Sequence, residues 1–263
     1  MNNKQIWEIA LMQSADDFGC SSQDFISGEN LVVPSEKREK ARRYLPLPFE
    51  LDMVSYGSNI VAQASPRLEA AAREYIGKYD VSHCFETPHI HALGEMVGVY
   101  GLGVCFMAEY FLPDAELVKE QPCGYEMKLL GPSDFAELYT PQWSNALCAD
   151  RKALDVLAVG AYDGGKLIGL AGASADCESM YQIGVDVLSG YRRQGIAAAL
   201  TGRIALEIFA LGKVPFYCAA WCNIASVRNA VRCGFRPAWA ELTVRENELI
   251  AKLNRTDSAD TKF

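Results

Sequence analysis

The sequence predicts an α/β protein in two parts. A mixed central sheet flanked by helices fills the second half, and a mixed α and β domain precedes it. Three observations carry this expectation. Apolar strands and helices follow one another as β-α-β-β-β-α-β-α-β from about residue 125 to 244, an order that calls for one sheet with helices on both faces. Within it, Asp163-Gly164-Gly165 joins two apolar runs and signals a tight hairpin. A polar stretch at 119–124, with Pro122 and Gly124, marks a boundary before it. The expected division is 1–122, 123–254 and a tail, 255–263, that is expected to be disordered.

The first half is the less legible. Residues 35–43 are charged and helix-prone until Pro46 and Pro48 stop them. Residues 49–65 read as two strands around Gly57-Ser58, and Pro66 opens a helix through Ile76. A helical pattern at 88–98 leads into a strand at 104–111, closed by Pro113. No catalytic motif falls in this half. In the second half, 125–130 is a strand and Ser133 is an N-cap for a helix through Tyr139. Strands follow at 156–162, 166–173 and 180–188. Ile196, Leu200, Ile204 and Ile208 form the apolar stripe of a long helix over 192–211, which Gly212 ends. A strand at 214–221, a helix at 224–233 closed by Gly234, and a strand at 239–244 complete the order.

Composition narrows the function. Half of the 263 residues are hydrophobic and 22% are charged. Such a chain can bury a sizeable core. No apolar run reaches the roughly 20 residues of a membrane span. The first residues lack a signal-peptide core. A cytoplasmic protein without membrane contact is expected. Nine cysteines without a Cys-x-x-Cys pair argue against a disulfide framework or a zinc site, and most are expected to be buried thiols. The net charge of −8 opposes nucleic acid as a partner. All of that excess lies in residues 1–122, which carry 10 Lys and Arg against 18 Asp and Glu; the remainder carries 15 of each. A solvated acidic surface is the plain reading of the excess, and a lobe that attracts a cationic acceptor is the sharper one.

The informative segment is Val185-Asp186-Val187-Leu188-Ser189-Gly190-Tyr191-Arg192-Arg193-Gln194-Gly195-Ile196-Ala197. It reads as a strand, a short turn and a helix start. Unpaired N–H groups and partial positive charge at a helix N-terminus suit a pyrophosphate. Gly195 and Ala197 leave the backbone approachable, while Arg192 and Arg193 add positive charge. Arg192-x-x-Gly195-x-Ala197, approached through Val185-x-Val187, resembles the acyl-CoA signature of the GNAT acetyltransferase superfamily. Asn223-Ile224-Ala225-Ser226, with Gly234-Phe235 eleven and twelve residues after the Asn, is similar to that family's later motif. The resemblance covers roughly the last 120 ordered residues and implies a GNAT-type mixed central sheet with acetyl-CoA as co-substrate and no metal. It implies that the strand backbone at Val185 and Val187 pairs with the pantetheine arm. The segment Arg192, Arg193, Gln194, Gly195, Ile196 and Ala197 would hold the pyrophosphate, and Asn223 and Ser226 would complete the cofactor site. Asn223 read alone is equally a helix cap.

Catalytic groups are less marked. Many family members place a tyrosine seven residues after this Asn, where it protonates the departing thiolate; Ala230 stands there. The carboxylate base used by some members falls by register on Tyr181, with Asp176 and Glu178 in the preceding turn. Glu178 and Tyr181 are the catalytic candidates, and solvated loop carboxylates are the alternative. Asp186 alternates to the other face. Trp143 and Trp221 would line an acceptor pocket or pack in the core. His83, His89 and His91 lie within nine residues, beside Cys84 and Glu86, but match no zinc spacing. The resemblance implies an N-acetyltransferase acting on a small-molecule or peptide amine by direct attack, with a homodimer allowed. Because the first half carries the whole charge imbalance and the second contains every CoA motif, the first half is expected to select the acceptor. A non-catalytic CoA-binding or regulatory module is the alternative.

Overall fold

A computed structural model describes residues 1–255, so the tail from 256 onward, expected to be disordered, lies outside the described residues. The chain runs α1 (Asn3–Phe18), β1 (Leu31–Pro34), β2 (Leu51–Ser55), β3 (Val61–Ala64), α2 (Glu69–Lys78), α3 (Thr87–Gly98) and β4 (Leu102–Pro113). It continues β5 (Glu126–Leu130), β6 (Asp155–Asp163), β7 (Lys166–Ser174), β8 (Met180–Val187), α4 (Ile196–Ala210), β9 (Val214–Ala220), α5 (Ile224–Arg232), β10 (Phe235–Glu246) and α6 (Asn247–Leu253). Contacts divide it into two units. One comprises Met1–Ile9 and Phe111–Pro237; the other comprises Ala10–Tyr110 and the described residues from Ala238 onward. This division differs from a cut after residue 122. It falls inside β4, and the chain returns to the N-terminal unit within β10. The physical reason is strand pairing: Ala240 to Val244 lie antiparallel to β2, from Ala240 opposite Ser55 to Val244 opposite Leu51.

In the C-terminal unit β5, β6, β7 and β8 pair antiparallel in chain order, and β9 joins β8 in parallel. The hairpin between β6 and β7 turns on Gly164 (φ 54°) and Gly165 (φ 86°). Both are left-handed, as a two-residue primed turn requires. The predicted stripe Ile196, Leu200, Ile204 and Ile208 is buried with Ile183, Tyr217 and Phe235 in one apolar cluster. Each such side chain contributes roughly 1.5–3 kcal/mol by leaving water.

Two helices expected in the C-terminal unit differ. Residues 133–139 form only a short 3-10 turn at Ala136–Leu138. Thr140, before Pro141, is extended (φ −125°, ψ 158°). The proline ring disfavours a helical residue before it, which leaves no room for further turns. The long helix starts at Ile196 rather than 192, because Arg193 (φ 64°) and Gly195 (φ 84°) are left-handed.

In the N-terminal unit β1 runs parallel to β3, and β2 lies antiparallel between β3 and β10. One sheet face is apolar: Met53, Ala62, Leu242 and Val244 pack with Leu68, Tyr75 and Ile76 at α2 and Leu93 and Val97 of α3. Alternation puts Asp52, Gln63, Glu241 and Thr243 on the other face, and all four are buried. Residues 35–43 form no helix. The Arg38 guanidinium instead donates to the carbonyls of Pro34 (2.8 Å) and Glu36 (3.0 Å), and Arg42 is buried against Asp17. The bonds of Arg42 to Asp17, distant in the chain, override the local propensity. Of the nine thiols only Cys84, Cys177 and Cys233 are buried, fewer than expected.

Candidate functional site

The site begins with a change of partner along β8. Its pairing with β9 runs from Met180 opposite Val214 to Ile183 opposite Tyr217. Pairing with β7 continues to Val187 opposite Gly169. Leu188 N–H donates to the Ile168 carbonyl (2.9 Å) on the β7 side. By strand alternation the N–H groups of Val185 and Val187 face the opposite edge, where register with β9 has ended. The Val187 carbonyl on that edge accepts Arg192 Nε (3.1 Å). Among the described residues, neither of these two strand donors has a β9 residue in register with it.

Beyond Val187 the chain makes one 3-10 turn at Ser189–Tyr191, then takes left-handed values at Arg193 and Gly195 before α4. A left-handed non-glycine residue costs roughly 1–2 kcal/mol, so Arg193 is held there by its surroundings. A Cβ added to Gly195 would meet nothing within 4 Å, so its φ of 84° rather than a contact calls for glycine. Ala199 N–H closes the first turn of α4 on the Gly195 carbonyl (3.0 Å). The preceding N–H groups are left without helical partners. Arg192, Arg193 and Gln194 are exposed, Ala197 is half-buried and Ile196 anchors the helix start in the core. Tyr125 Oη donates to Gln194 Oε1 (2.8 Å), and Tyr191 Oη to Asp163 Oδ2 (2.9 Å), which raises the Tyr191 phenol.

Asn223 caps α5: its Oδ1 accepts the Ser226 N–H (3.1 Å). Ser226 Oγ and Tyr217 Oη lie 2.7 Å apart. Burial pushes the Tyr217 phenol up, against the hydrogen bonds from Ser226 and Asn229 that lower it. Sequence reasoning missed Tyr217. Only the strand register could have shown that it is the last β9 residue paired with β8. Ala230 is fully buried in the same apolar cluster.

The other candidates are dispersed. Glu178 is exposed in the turn before β8. It lies seven residues upstream of Val185, a separation of about 23 Å along an extended strand. Tyr181 is half-buried and stands opposite Pro215 in the closed part of the pairing. Asp176 is fully buried, bonded to Arg151 Nη1 (2.8 Å) and Ser174 Oγ (3.1 Å). Asp186 accepts Asn145 N–H (2.7 Å), Asn145 Nδ2 (2.5 Å) and Ala146 N–H (3.0 Å), fixing that loop against the sheet. The approach is close: a Cβ at Gly184 would collide with the Asn145 carbonyl oxygen, and one at Gly172 with that of Ala146. Trp143 is buried and Trp221 is 40% exposed. In the N-terminal unit His83 stacks on His89 (5.1 Å, 13°) and His91 faces Glu95 (3.5 Å). Among the described residues, no group of three or more His, Cys, Asp or Glu is arranged to hold a metal, and no helix is long and apolar enough to cross a membrane.

Comparison with known proteins bears on this geometry. No curated protein sequence matches the chain. A GCN5-related N-acetyltransferase-like protein from Streptococcus suis is similar at 21% identity and a TM-score of 0.43, over 57% of this chain and 66% of its own, just under two thirds. A GCN5-related N-acetyltransferase from Kribbella flavida is similar at 17% identity and a TM-score of 0.47, over 74% of this chain and 86% of its own. An aminoglycoside N-acetyltransferase, AAC(6')-Iy in complex with CoA, is similar at 20% identity and a TM-score of 0.35, over 45% of this chain and 93% of its own. The family model described as Acetyltransferase (GNAT) family matches residues 124–235, which include β5 to β9, the turn at Arg192 to Ala197 and the Asn223 cap. Residues 124–235 are therefore a domain of the GNAT acetyltransferase family.

Proposed function

We propose that the protein is an N-acetyltransferase that moves the acetyl group of acetyl-CoA to an amine by direct attack. The observation that carries this reading is the parting of β8 from β9 after Ile183, with the N–H groups of Val185 and Val187 on the freed edge and the left-handed turn at Arg193 and Gly195 beyond them. These residues fit an extended acyl-CoA. Strand donors meet its amide arm, and the N-terminus of α4 with Arg192 and Arg193 meets its pyrophosphate. Acetyl-CoA supplies an activated thioester. The chain supplies position and electrostatics: the Val187 N–H polarises the carbonyl and stabilises the oxyanion formed when the amine adds.

Proton movements follow from the remaining groups. Ala230 offers no phenol, so the departing thiolate takes its proton from solvent or from a nearby hydroxyl. Tyr181 and the bonded hydroxyls of Tyr217 and Ser226 are the candidates on this chain. The amine loses its proton through water, with Tyr181 closer to the freed edge and Glu178 the exposed carboxylate at the far end of the route. Residues 1–122 select the acceptor, a small-molecule or peptide amine, and the protein acts in the cytoplasm. The test is release of CoA thiol from acetyl-CoA over a panel of amines, in the wild type and in Gly195→Glu. Turnover with at least one amine is expected. Gly195→Glu should weaken CoA binding ten-fold or more, about 1.4 kcal/mol, beyond any change in Gly195→Ala, which carries the backbone strain alone. Unchanged CoA affinity in folded Gly195→Glu refutes the cofactor site. The buried Ala230 favours a second reading, a CoA-binding regulatory module. Tight CoA binding without turnover on any amine selects that reading.

A further inference from the structure

A chain of polar side chains crosses the apolar core of the acetyltransferase domain. Asn229 on α5 donates from Nδ2 to Thr201 Oγ1 on α4 (2.9 Å) and also hydrogen-bonds the phenol of Tyr217 on β9. Tyr217 Oη and Ser226 Oγ stand 2.7 Å apart. Thr201 is fully buried and Tyr217 is 3% exposed, whereas Ser226, in the first turn of α5, is half-buried. The bonds therefore run outward, from between α4 and α5 to the start of α5.

Counting hydrogens gives the bonds a direction. The Asn229 amide has two N–H donors, one for Thr201 and one for the Tyr217 oxygen. The phenol has a single hydrogen, and Ser226 Oγ is within reach to accept it. Ser226 thus receives from Tyr217, and its own hydrogen is left for a partner outside this series. Burial raises the phenol, so Tyr217 keeps the hydrogen that sets the direction. Packing alone does not call for the arrangement. Cys233 Sγ on the Ala198 carbonyl (3.3 Å) also ties α5 to α4, and a phenylalanine at 217 would bury the same ring in the same apolar cluster. Donors aligned in a low-dielectric interior strengthen one another.

The register fixes where this donor lies. Pairing of β8 with β9 ends at Ile183 opposite Tyr217. The freed edge runs from there to Val187, four residues or about 13 Å along the strand, and on to the turn before α4. An arm anchored by its pyrophosphate at that turn brings its reactive end to the closed end of the edge, beside Tyr217 and its partner Ser226.

Resting on the acetyl-CoA reading, we propose that Ser226 Oγ is the proton donor to the departing thiolate, and that Tyr217 and Asn229 are positioning residues that direct it. As the amine nitrogen bonds to the acetyl carbon, the carbon–sulfur bond breaks and its electron pair leaves with the sulfur. Ser226 gives its hydrogen to that sulfur and takes the phenol hydrogen of Tyr217 in its place. The Asn229 N–H holds the phenolate until solvent returns a proton, and the surplus proton of the amine leaves to solvent.

Calorimetry on the full chain with CoA and desulfo-CoA, from pH 6.5 to 9.5, tests this. A free thiol titrates near ~8.5, and a donor on the sulfur favours its ionised form. Affinity for CoA relative to desulfo-CoA should therefore rise about three-fold or more across the range. The ratio cancels protein titrations that act on both ligands alike. Ser226→Ala should abolish the rise and Tyr217→Phe should at least halve it, with desulfo-CoA affinity held within about two-fold of wild type in both. A flat ratio in the wild type, or an undiminished rise in Ser226→Ala, overturns the assignment while desulfo-CoA binding upholds the cofactor site. An undiminished rise in Tyr217→Phe overturns the positioning role. Failure of both ligands to bind overturns the cofactor reading and the donor together.

Discussion

Glu241→Gln should stabilise the protein at alkaline pH and change little in acid. Glu241 is buried on the polar face of the N-terminal sheet. Burial pushes its carboxyl from 4.5 up to about 7; the nearby Asp17 adds to the rise, while Arg42 and hydrogen bonds from Tyr110 and Trp239 oppose it. Asp52 on the same face is raised well above its ordinary value, first by burial and then by Glu241, and its Oδ1 has no hydrogen-bond partner among the described residues. The folded state therefore holds a proton that the unfolded chain releases near 4.5. Stability is fully present below that pH, falls as pH rises toward about 7, and levels off above it. The window spans about 2.5 pH units, or roughly 3 kcal/mol at ~1.4 kcal/mol per unit, shared with Asp52 because the two carboxyls titrate together. Glutamine keeps an acceptor for Tyr110 and Trp239 but cannot ionise. Urea midpoints of both chains at pH 4, 5, 6, 7 and 8 should nearly coincide at pH 4 and separate by up to about 3 kcal/mol at pH 8, or roughly 6–12 °C in Tm. Parallel pH curves for the two chains would falsify the assignment of this window to Glu241.

Other expectations concern the C-terminal unit. Glu178→Gln should lower kcat while leaving CoA affinity alone; the fall should stay below about 100-fold, because a water route of this length is less effective than a base in contact. Wild-type kcat excludes Glu178 from the proton route. Asp186→Ala should destabilise by about 1–3 kcal/mol by stranding the donors of Asn145 and Ala146, read as a lower urea midpoint and faster amide exchange at those two residues. Exchange that does not change would show that the loop is held by other contacts.

The C-terminal unit is legible because its signals are local. The stripe at Ile196, Leu200, Ile204 and Ile208, the Asp163-Gly164-Gly165 turn and the Asn223 cap each act within a few residues of chain. What the sequence does not show depends on distant partners. The helix-prone run at 35–43 is overridden by Asp17, which holds the backbone N–H and the guanidinium of Arg42. The membership of β10 in the N-terminal unit depends on its pairing with β2. The Tyr217 to Ser226 bond depends on the register of β9. α1 leaves no clear signal because Gln13, Ser14 and Asp17 are buried on it. Buried polar residues blur the apolar stripe that marks a helix. They also hide the electrostatic character of that unit, since several of its acids are interior and five of the ten cations of residues 1–122 lie in one loop.

The pairing of β10 with β2 also bears on how the chain is made. Ser55 must wait for its partner Ala240, with the whole acetyltransferase domain between them in the sequence. Contacts of such long separation form late. During translation β2 emerges early with one edge unpaired. The intervening domain, whose contacts are mostly between successive strands, can form while that edge waits. The N-terminal unit begins to emerge before that domain and is completed after it. A chain that stalls shortly before residue 240 would carry a folded acetyltransferase domain and an exposed strand edge, a form prone to pair with the β10 of another copy.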